Sequence, residues 1–403
     1  MATWIGALLY ALQSRHQPSR AAFLLLTLSL ALQAGELHSA VRSGDTEAVL
    51  RLLASGANVN ERDSLGGTAL HDAAWAGDLA MMKLLLDRKA DPNVRHSEGG
   101  STPLHYAIIT NRPDAVELLL SRGADLRAVS TSGGNALHLA ANRGFAGIVE
   151  LLLAKGLDPN TRDSSGMTAL EEAAWSGSAD AVRALLPRST PSPRALVAAA
   201  ARGHADVVRA LIDAGVKPAA PGPDGATALD EALRNRHIAV LEVLAAKGAP
   251  PAPAKALREA VLRGHADVVR FLLDHGSPAA TPGLLHDAAL KGHVEIVRLL
   301  IDKGADVKGK SSAGATALHD AALSGQASVV RLLIERGAPL DERDEATGST
   351  ALFHAASWGR EEVVRILVES GANPAIPNRA GQTARQAAAE NGHSRIAQLL
   401  PAR

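Results

Sequence analysis

The chain has 403 residues, and 42 Lys and Arg balance 42 Asp and Glu, so no global field steers it onto nucleic acid or an acidic membrane surface. It contains no cysteine, which excludes disulfides and thiol chemistry, and only 2% of it is aromatic. The length exceeds one ordinary domain, but internal repeats account for it, since they extend a stack without enlarging a central core.

Residues 1–35 stand outside the repeats. Arg15 and Arg20 precede an uncharged run, Ala21 to Gly35, centred on Phe23 to Leu28, and Gln33-Ala34-Gly35 offers a small residue for cleavage after Ala34. This reads as a secretory signal peptide. The run is shorter than the ~20 residues that span a bilayer. An uncleaved anchor, or an ordinary apolar cap on the repeats, are the alternatives, because the segment before Arg15 is long and holds its own apolar patch, Ile5 to Leu12.

From residue 36 onward one unit recurs, clearest at Gly314 to Ala338. Thr316 can cap a helix through its hydroxyl. Ala321 and Ala322 allow close packing, and Gly325 breaks the chain. A second helix follows from Ser328, with Val329, Val330, Leu332 and Leu333 on one apolar face, until Gly337 ends it. Polar, turn-forming residues come next. The unit is helix, tight turn, helix, finger. Aligned on the leucine of the first helix, the copies start at Leu37, Leu70, Leu104, Leu137, Leu170, Leu196, Leu229, Leu257, Leu285, Leu318 and Leu352, with Arg385 in a twelfth. The spacings are 33, 34, 33, 33, 26, 33, 28, 28, 33, 34 and 33.

Thr102-Pro103-Leu104-His105, with the Thr-Ala-Leu-His copies at Thr68 to His71 and Thr316 to His319, resembles the ankyrin repeat. So do the endings Gly56 to Asn60, Gly123 to Asp125 and Gly304 to Val307. The resemblance covers residues 36–400 and implies an all-α solenoid of L-shaped units with short β-hairpin or loop fingers. It also implies binding of a protein partner on the concave groove and finger tips. Repeats one to five occupy 36–186. The stretch 187–283 holds repeats six to eight, whose junctions (Pro187 to Pro193, Pro250 to Pro253, Pro278 to Pro282) are proline-rich and unsuited to a hairpin. Lower stiffness is expected there. Repeats nine to twelve and a C-terminal cap fill 284–403. The alanine- and arginine-rich composition, together with the leader, suggests a bacterial, exported protein.

Several residues invite a chemical reading, and position argues against most. Gly304 to Ser311 satisfies the phosphate-loop pattern, but a helix precedes it instead of a strand and the next helix starts only near Thr316. His38, His71, His105, His138, His286 and His319 follow the signature leucine, one per repeat, too far apart at roughly 8–10 Å between stacked helices to share a metal. His204, His265, His293 and His393 follow the inter-helix glycine, another repeated place. Arg209/Asp213, Arg270/Asp274, Arg298/Asp302, Arg331/Glu335 and Arg365/Glu369 are spaced to pair along a solvated helix face. No catalytic triad stands out. No cofactor, metal or small-molecule substrate is expected, and the chain should be a monomer.

The unshared positions carry the functional expectation. In the resembling family, the residue after the signature histidine and those after the Ala-Ala pair face the groove. Here they are Asp72, Tyr106, Glu172, Glu231, Glu259, Asp287 and Asp320, and near the others Trp75, Ile109, Trp175, Leu290, Leu323 and Trp358. Acidic residues beside exposed tryptophan and leucine would suit a partner with basic and apolar side chains. A general scaffold, an exported factor that protects or assembles one envelope enzyme, and a secreted effector that binds host proteins all fit this pattern. The tryptophans packing on their own neighbours is the plainer reading.

Overall fold

The structure is a computed structural model that describes residues 35–401 apart from Ser132. The expected leader, its cleavage point after Ala34 and its alternatives therefore lie outside the described residues, and so does Trp4. Two compact units make up the chain, one running to Ala228 and the other starting at Leu229, inside the proline-rich central stretch.

In the first unit the helices come in pairs: α1 (35–43) with α2 (Thr46–Ala54), α3 (Ala69–Ala76) with α4 (Leu79–Asp87), α5 (Pro103–Ile109) with α6 (Pro113–Ser121), α7 (Ala136–Asn142) with α8 (Ala146–Ala154), α9 (Ala169–Ser176) with α10 (Ala179–Leu185), and α11 (Pro193–Ala201) with α12 (Ala205–Asp213). The second unit continues with α13 (Ala228–Asn235), α14 (Ile238–Ala246), α15 (Ala254–Arg263), α16 (Ala266–Asp274), α17 (Leu284–Lys291), α18 (Val294–Asp302), α19 (Ala317–Ser324), α20 (Ala327–Glu335), α21 (Ala351–Ser357), α22 (Glu361–Glu369), α23 (Ala384–Glu390) and α24 (Ser394–Leu399). These are the twelve repeats of the sequence pattern.

Local chemistry sets each boundary. Asp45 and Asp78 accept the backbone N–H three residues on, and Pro103, Pro113 and Pro193 occupy first-turn positions where no donor is lost. The glycine between the two helices takes a left-handed conformation, as at Gly177 with φ 80°. The alanine pairs Ala73-Ala74, Ala140-Ala141 and Ala173-Ala174 are fully buried, so first helices approach closely within the unit, as α3 does on α5 and α7 on α9. The second helices bury their valines and leucines against both neighbours, Val149 and Leu152 among them.

The fingers are loops, and among the described residues no strand forms. Isolated bridges close four of them: Arg62 with Thr68, Val129 with Asn135, Arg162 with Thr168 and Lys310 with Thr316. None of these bridges falls in the three proline-rich junctions. Successive finger tips are tied by backbone, from Ser97 N–H to Gly66 O at 3.1 Å and from Glu345 N–H to Ala313 O at 3.1 Å. Finger bases are tied by side chains. Asn60 Oδ1 accepts the Asp91 N–H at 2.7 Å, and Asn93 Oδ1 accepts the Asp125 N–H at 2.6 Å. The phosphate-loop match dissolves into this scheme: Gly304 ends α18, and Lys310 sits in a finger with its Nζ 2.6 Å from Glu342.

At Arg270, Asp274, Asp302 and Arg331 the expected charge pairing along one second helix is replaced by pairing between repeats. Arg270 reaches Glu295, Asp274 takes Lys303, Asp302 binds Arg336, and Arg331 reaches Glu362. The acids at helix ends lie beside the basic terminus of the next helix over, so the shorter path runs across the stack. Arg365 turns backward to Glu361 on its own helix.

The inter-helix turns are stitched as well. His204 Nε2 lies 3.2 Å from the Trp175 carbonyl, and Arg360 Nε donates to Leu323 O at 3.1 Å. This places a side chain directly over the previous glycine: a Cβ on Gly177 would come within 2.5 Å of the His204 ring. Gly177→Ala should therefore lose about 1–3 kcal/mol, from the positive φ and the displaced ring. Gly147, inside α8 with open space where its Cβ would go, should gain about 0.5–1 kcal/mol as alanine. Urea denaturation of the two variants checks both signs, and equal effects would contradict the account.

Candidate functional site

The first helices share one face with the fingers. Its register follows from a cleft of about 390 Å³ in repeats three to five, lined by finger residues such as Ser130, Thr131 and Gly134 and by Ile109, Leu139 and Asn142 of the first helices. Ile109 and Asn142 each follow their signature leucine by five residues, as do Trp75, Trp175, Leu262, Leu290 and Leu323. The sequence reading of this register therefore coincides with the finger side of the first helices.

Trp75 is 51% exposed, Trp175 45% and Trp358 60%. They also touch neighbours. The Trp75 ring meets Tyr106 edge-on at 5.9 Å, and the Arg202 guanidinium lies 5.0 Å over the Trp175 ring. Tyr106 belongs to a small aromatic group with His71 and His96, and burial, followed by the charges of Asp72, Asp63 and Glu98, raises its phenol above the usual range. Trp358 follows α21 by one residue, one place later than Trp75 and Trp175, so it does not share their register. Leu290 is exposed, whereas Ile109 and Leu323 are half-buried.

The acidic row is less free than the sequence implied. Asp72 is held by His38 Nδ1 at 2.6 Å and by Arg42, Glu172 by the Asn142 amide at 2.7 Å, Asp287 by Arg258 at 2.9 Å, and Asp320 by His286 Nδ1 at 2.7 Å. Each partner comes from the preceding repeat. Glu231 is not an open groove residue at all: it is buried and bonded to Arg234 and Asn235 of its own helix. Glu259 remains exposed. Much of this row thus serves cohesion between repeats.

The histidines divide into two kinds by a rule that is visible in the sequence. Where threonine precedes the helix, the imidazole completes the cap. The Thr68 N–H and hydroxyl meet His71 Nδ1 at 3.0 and 2.8 Å, so Nδ1 accepts and Nε2 carries the proton to Ser101 O at 3.1 Å. His319 does the same with Thr316 and Ser349 O, at 2.8 and 3.2 Å. In repeat four Asn135 replaces the threonine, and His138 contacts its Oδ1 and Met167 O. Where the threonine is missing, as before His38 and His286, Nδ1 turns to the aspartate of the next repeat instead. Glu171 and Gln386 take the histidine's place in repeats five and twelve.

His38, Asp63 and Asp72 converge as metal ligands might, but the Arg42 guanidinium stands 3.3 and 3.4 Å from the two carboxylates. The position a cation would take is held by one. Asp344 holds the finger place of Asp63 and Asp163, each of which accepts backbone N–H groups from its own finger. It is nearly fully buried, bonded to Thr347, Ser349 and His354, and its carboxyl lies far below the usual range: burial opposes the charge, but backbone and His354 hydrogen bonds overcome it. No helix among the described residues is long and apolar enough to cross a membrane.

The capping histidines make the fold acid-sensitive. Burial drives His71 and His105 down to about 4, and it lowers His319 too, with His354 adding to the effect. An unfolded histidine titrates near about 6.5, so the folded state binds fewer protons below that point. Stability is then complete above about pH 6.5 and falls as pH drops toward about 4, by up to roughly 2–3 kcal/mol each for His71 and His105. His71→Gln, patterned on Gln386, whose Oε1 accepts the Thr383 N–H at 2.8 Å, should keep the cap and flatten this loss. Denaturation midpoints compared at about pH 7.5 and about pH 5 check it. An unchanged pH slope would contradict the neutral-histidine cap.

Models of one family match nearly the whole repeat region. "Ankyrin repeats (3 copies)" matches residues 37–130, 125–192, 189–253 and 257–344, and "Ankyrin repeats (many copies)" matches residues 352–400. No curated protein matches the chain.

Proposed function

Because the chain belongs to the ankyrin-repeat family, whose repeats are in general protein-interaction modules and typically not enzymes, we propose that it is a non-enzymatic scaffold binding a partner protein on the finger side of its first helices. One observation carries this. Trp75 and Trp175 keep about half their surface in solvent at the same register of repeats two and five, on the side where Ile109 and Asn142 meet the fingers. Large aromatic surface left open at a fixed register is what interface anchors are made of. Contacts with Tyr106 and Arg202 orient the rings without covering them.

Three repeat steps separate the two anchors, roughly 30 Å at ~10 Å per step. Binding is by shape and polarity along a preformed surface, so little rearrangement is needed. Export is part of the same proposal and is supported by the basic, apolar and small-residue succession at Arg20, Phe23 to Leu28 and Ala34. A mature N-terminus at Gly35, read by intact-mass measurement of the native protein, is the expected result.

Affinity capture from an envelope extract with the full chain, beside a Trp75→Ala/Trp175→Ala variant, tests the binding reading. One dominant protein should be retained by the parent and weakened about tenfold or more in the variant. Equal retention by both would remove the tryptophans from the interface. The variant should keep its unfolding midpoint, since neither ring is a core residue.

A further inference from the structure

Among the described residues two imidazoles, His105 and His293, have a buried outer nitrogen, Nε2, with no partner, and His105 is the one that follows a signature leucine. The Thr102 N–H and hydroxyl occupy His105 Nδ1 at 3.2 and 2.9 Å, so the ring proton sits on Nε2. In His71, His138 and His319 the outer nitrogen meets the carbonyl just before the next repeat's cap. For His105 that residue is Gly134, whose carbonyl accepts a finger N–H as the others do, from Ser130 at 3.0 Å, but takes the Ser130 hydroxyl at 3.4 Å where they take an imidazole. His105 Nε2 is left as a buried donor without a partner, in a side chain only 1% exposed. Such a group is costly to leave unmet.

His105 and Gly134 both line the cleft in repeats three to five. Ile109 and Leu139 supply its apolar part, and Asn142 and Glu172 stand toward repeat five. No lysine or arginine lines it, and its two charged lining residues, Asp163 and Glu172, are both acidic. Asp163 is absorbed by its own finger, accepting from Ser165 and the Met167 N–H. Glu172 receives the Asn142 amide on Oε2. The cleft therefore offers one neutral N–H donor at one end, a carboxylate at the other and apolar surface between.

We propose that this cleft is a subsite for an extended segment of the partner protein, which sets a backbone carbonyl on the His105 Nε2–H and a lysine or arginine against Glu172. Charge selects this occupant, because an acidic or phosphorylated segment would meet two carboxylates and no cation in the lining. Two repeat steps separate the two groups, roughly 20 Å. With extended chain rising ~3.3 Å per residue, and a basic side chain reaching several ångströms, the basic residue lies about four or five positions from that carbonyl. The inference rests on the scaffold reading and narrows it to a class of sequence.

The test uses the full chain against an array of ten-residue peptides. Each carries one leucine and one lysine, or one leucine and one glutamate, at every pair of positions in an alanine and serine background. Lysine peptides should be retained about tenfold better than glutamate peptides, and Glu172→Gln should abolish that preference. On binding, the Nε2 resonance of His105 in histidine-labelled protein should shift, while that of His71, whose nitrogen is already bonded, stays in place. Equal retention of both peptide sets, or a lysine preference that survives Glu172→Gln, overturns the proposal. Capture of the native partner separates the two readings. If Glu172→Gln with Leu139→Arg retains it while Trp75→Ala/Trp175→Ala does not, the cleft fails and the scaffold stands. If neither variant matters, the scaffold reading on this face fails as well.

Discussion

A repeat of two short helices cannot bury its own apolar face, and the rest of this structure follows from that. Helices of six to ten residues are too short to persist alone. Each becomes stable only by covering the valines, leucines and alanines of the pair before and after it. The polar groups obey the same constraint. Fingers are tied at tip and base, turns are stitched by a side chain from the following repeat, and the histidine after the signature leucine ties its own cap to the next one. Almost every recurring feature of the unit is therefore a bond to a neighbour. That is why none of them can be read as chemistry.

This cohesion also decides what is left over for function. The acidic register of the first helices looks like a recognition surface in the sequence, yet Asp72, Asp287 and Asp320 are already engaged by the preceding repeat. What the neighbours do not consume is aromatic and apolar: Trp75, Trp175 and Leu290, with the exposed Glu259. The largest open surface belongs to this remainder, and the cleft between His105 and Glu172 adds to it.

The fold was legible in the sequence to the level of individual helices, since the thirty-three-residue period, the alanine pairs and the inter-helix glycines each have a local physical cause. The register of Trp75 and Trp175 was legible for the same reason. Trp358 stands second after its Ala-Ala pair where Trp75 and Trp175 stand first, just beyond a helix of seven residues that ends at Ser357. Side-chain partnership across repeats was not legible. Arg270 and Asp274 are ideally spaced on one helix, but whether they meet depends on Glu295 and Lys303 in another repeat. The burial of Glu231 and Asp344 is likewise a matter of packing, since Asp72 and Asp163 at the same places of other repeats are more open. One clue does stand in the sequence: His38 and His286 lack the threonine that the capping histidines have, which frees Nδ1 for Asp72 and Asp320.

The central claim is that cohesion and recognition are carried by separate residues of the same short helices. A substitution scan across the first helices of repeats two to five, reading thermal midpoint and partner retention on each variant, tests it most directly. Changes at the capping residues His71 and His138 and at the alanine pairs should lower the midpoint, with retention lost only in proportion to unfolding. Changes at Trp75, Ile109 and Trp175 should lower retention with the midpoint held. Retention that tracked the midpoint at every position, or that vanished at His71 or His138 in a folded variant, would contradict the separation.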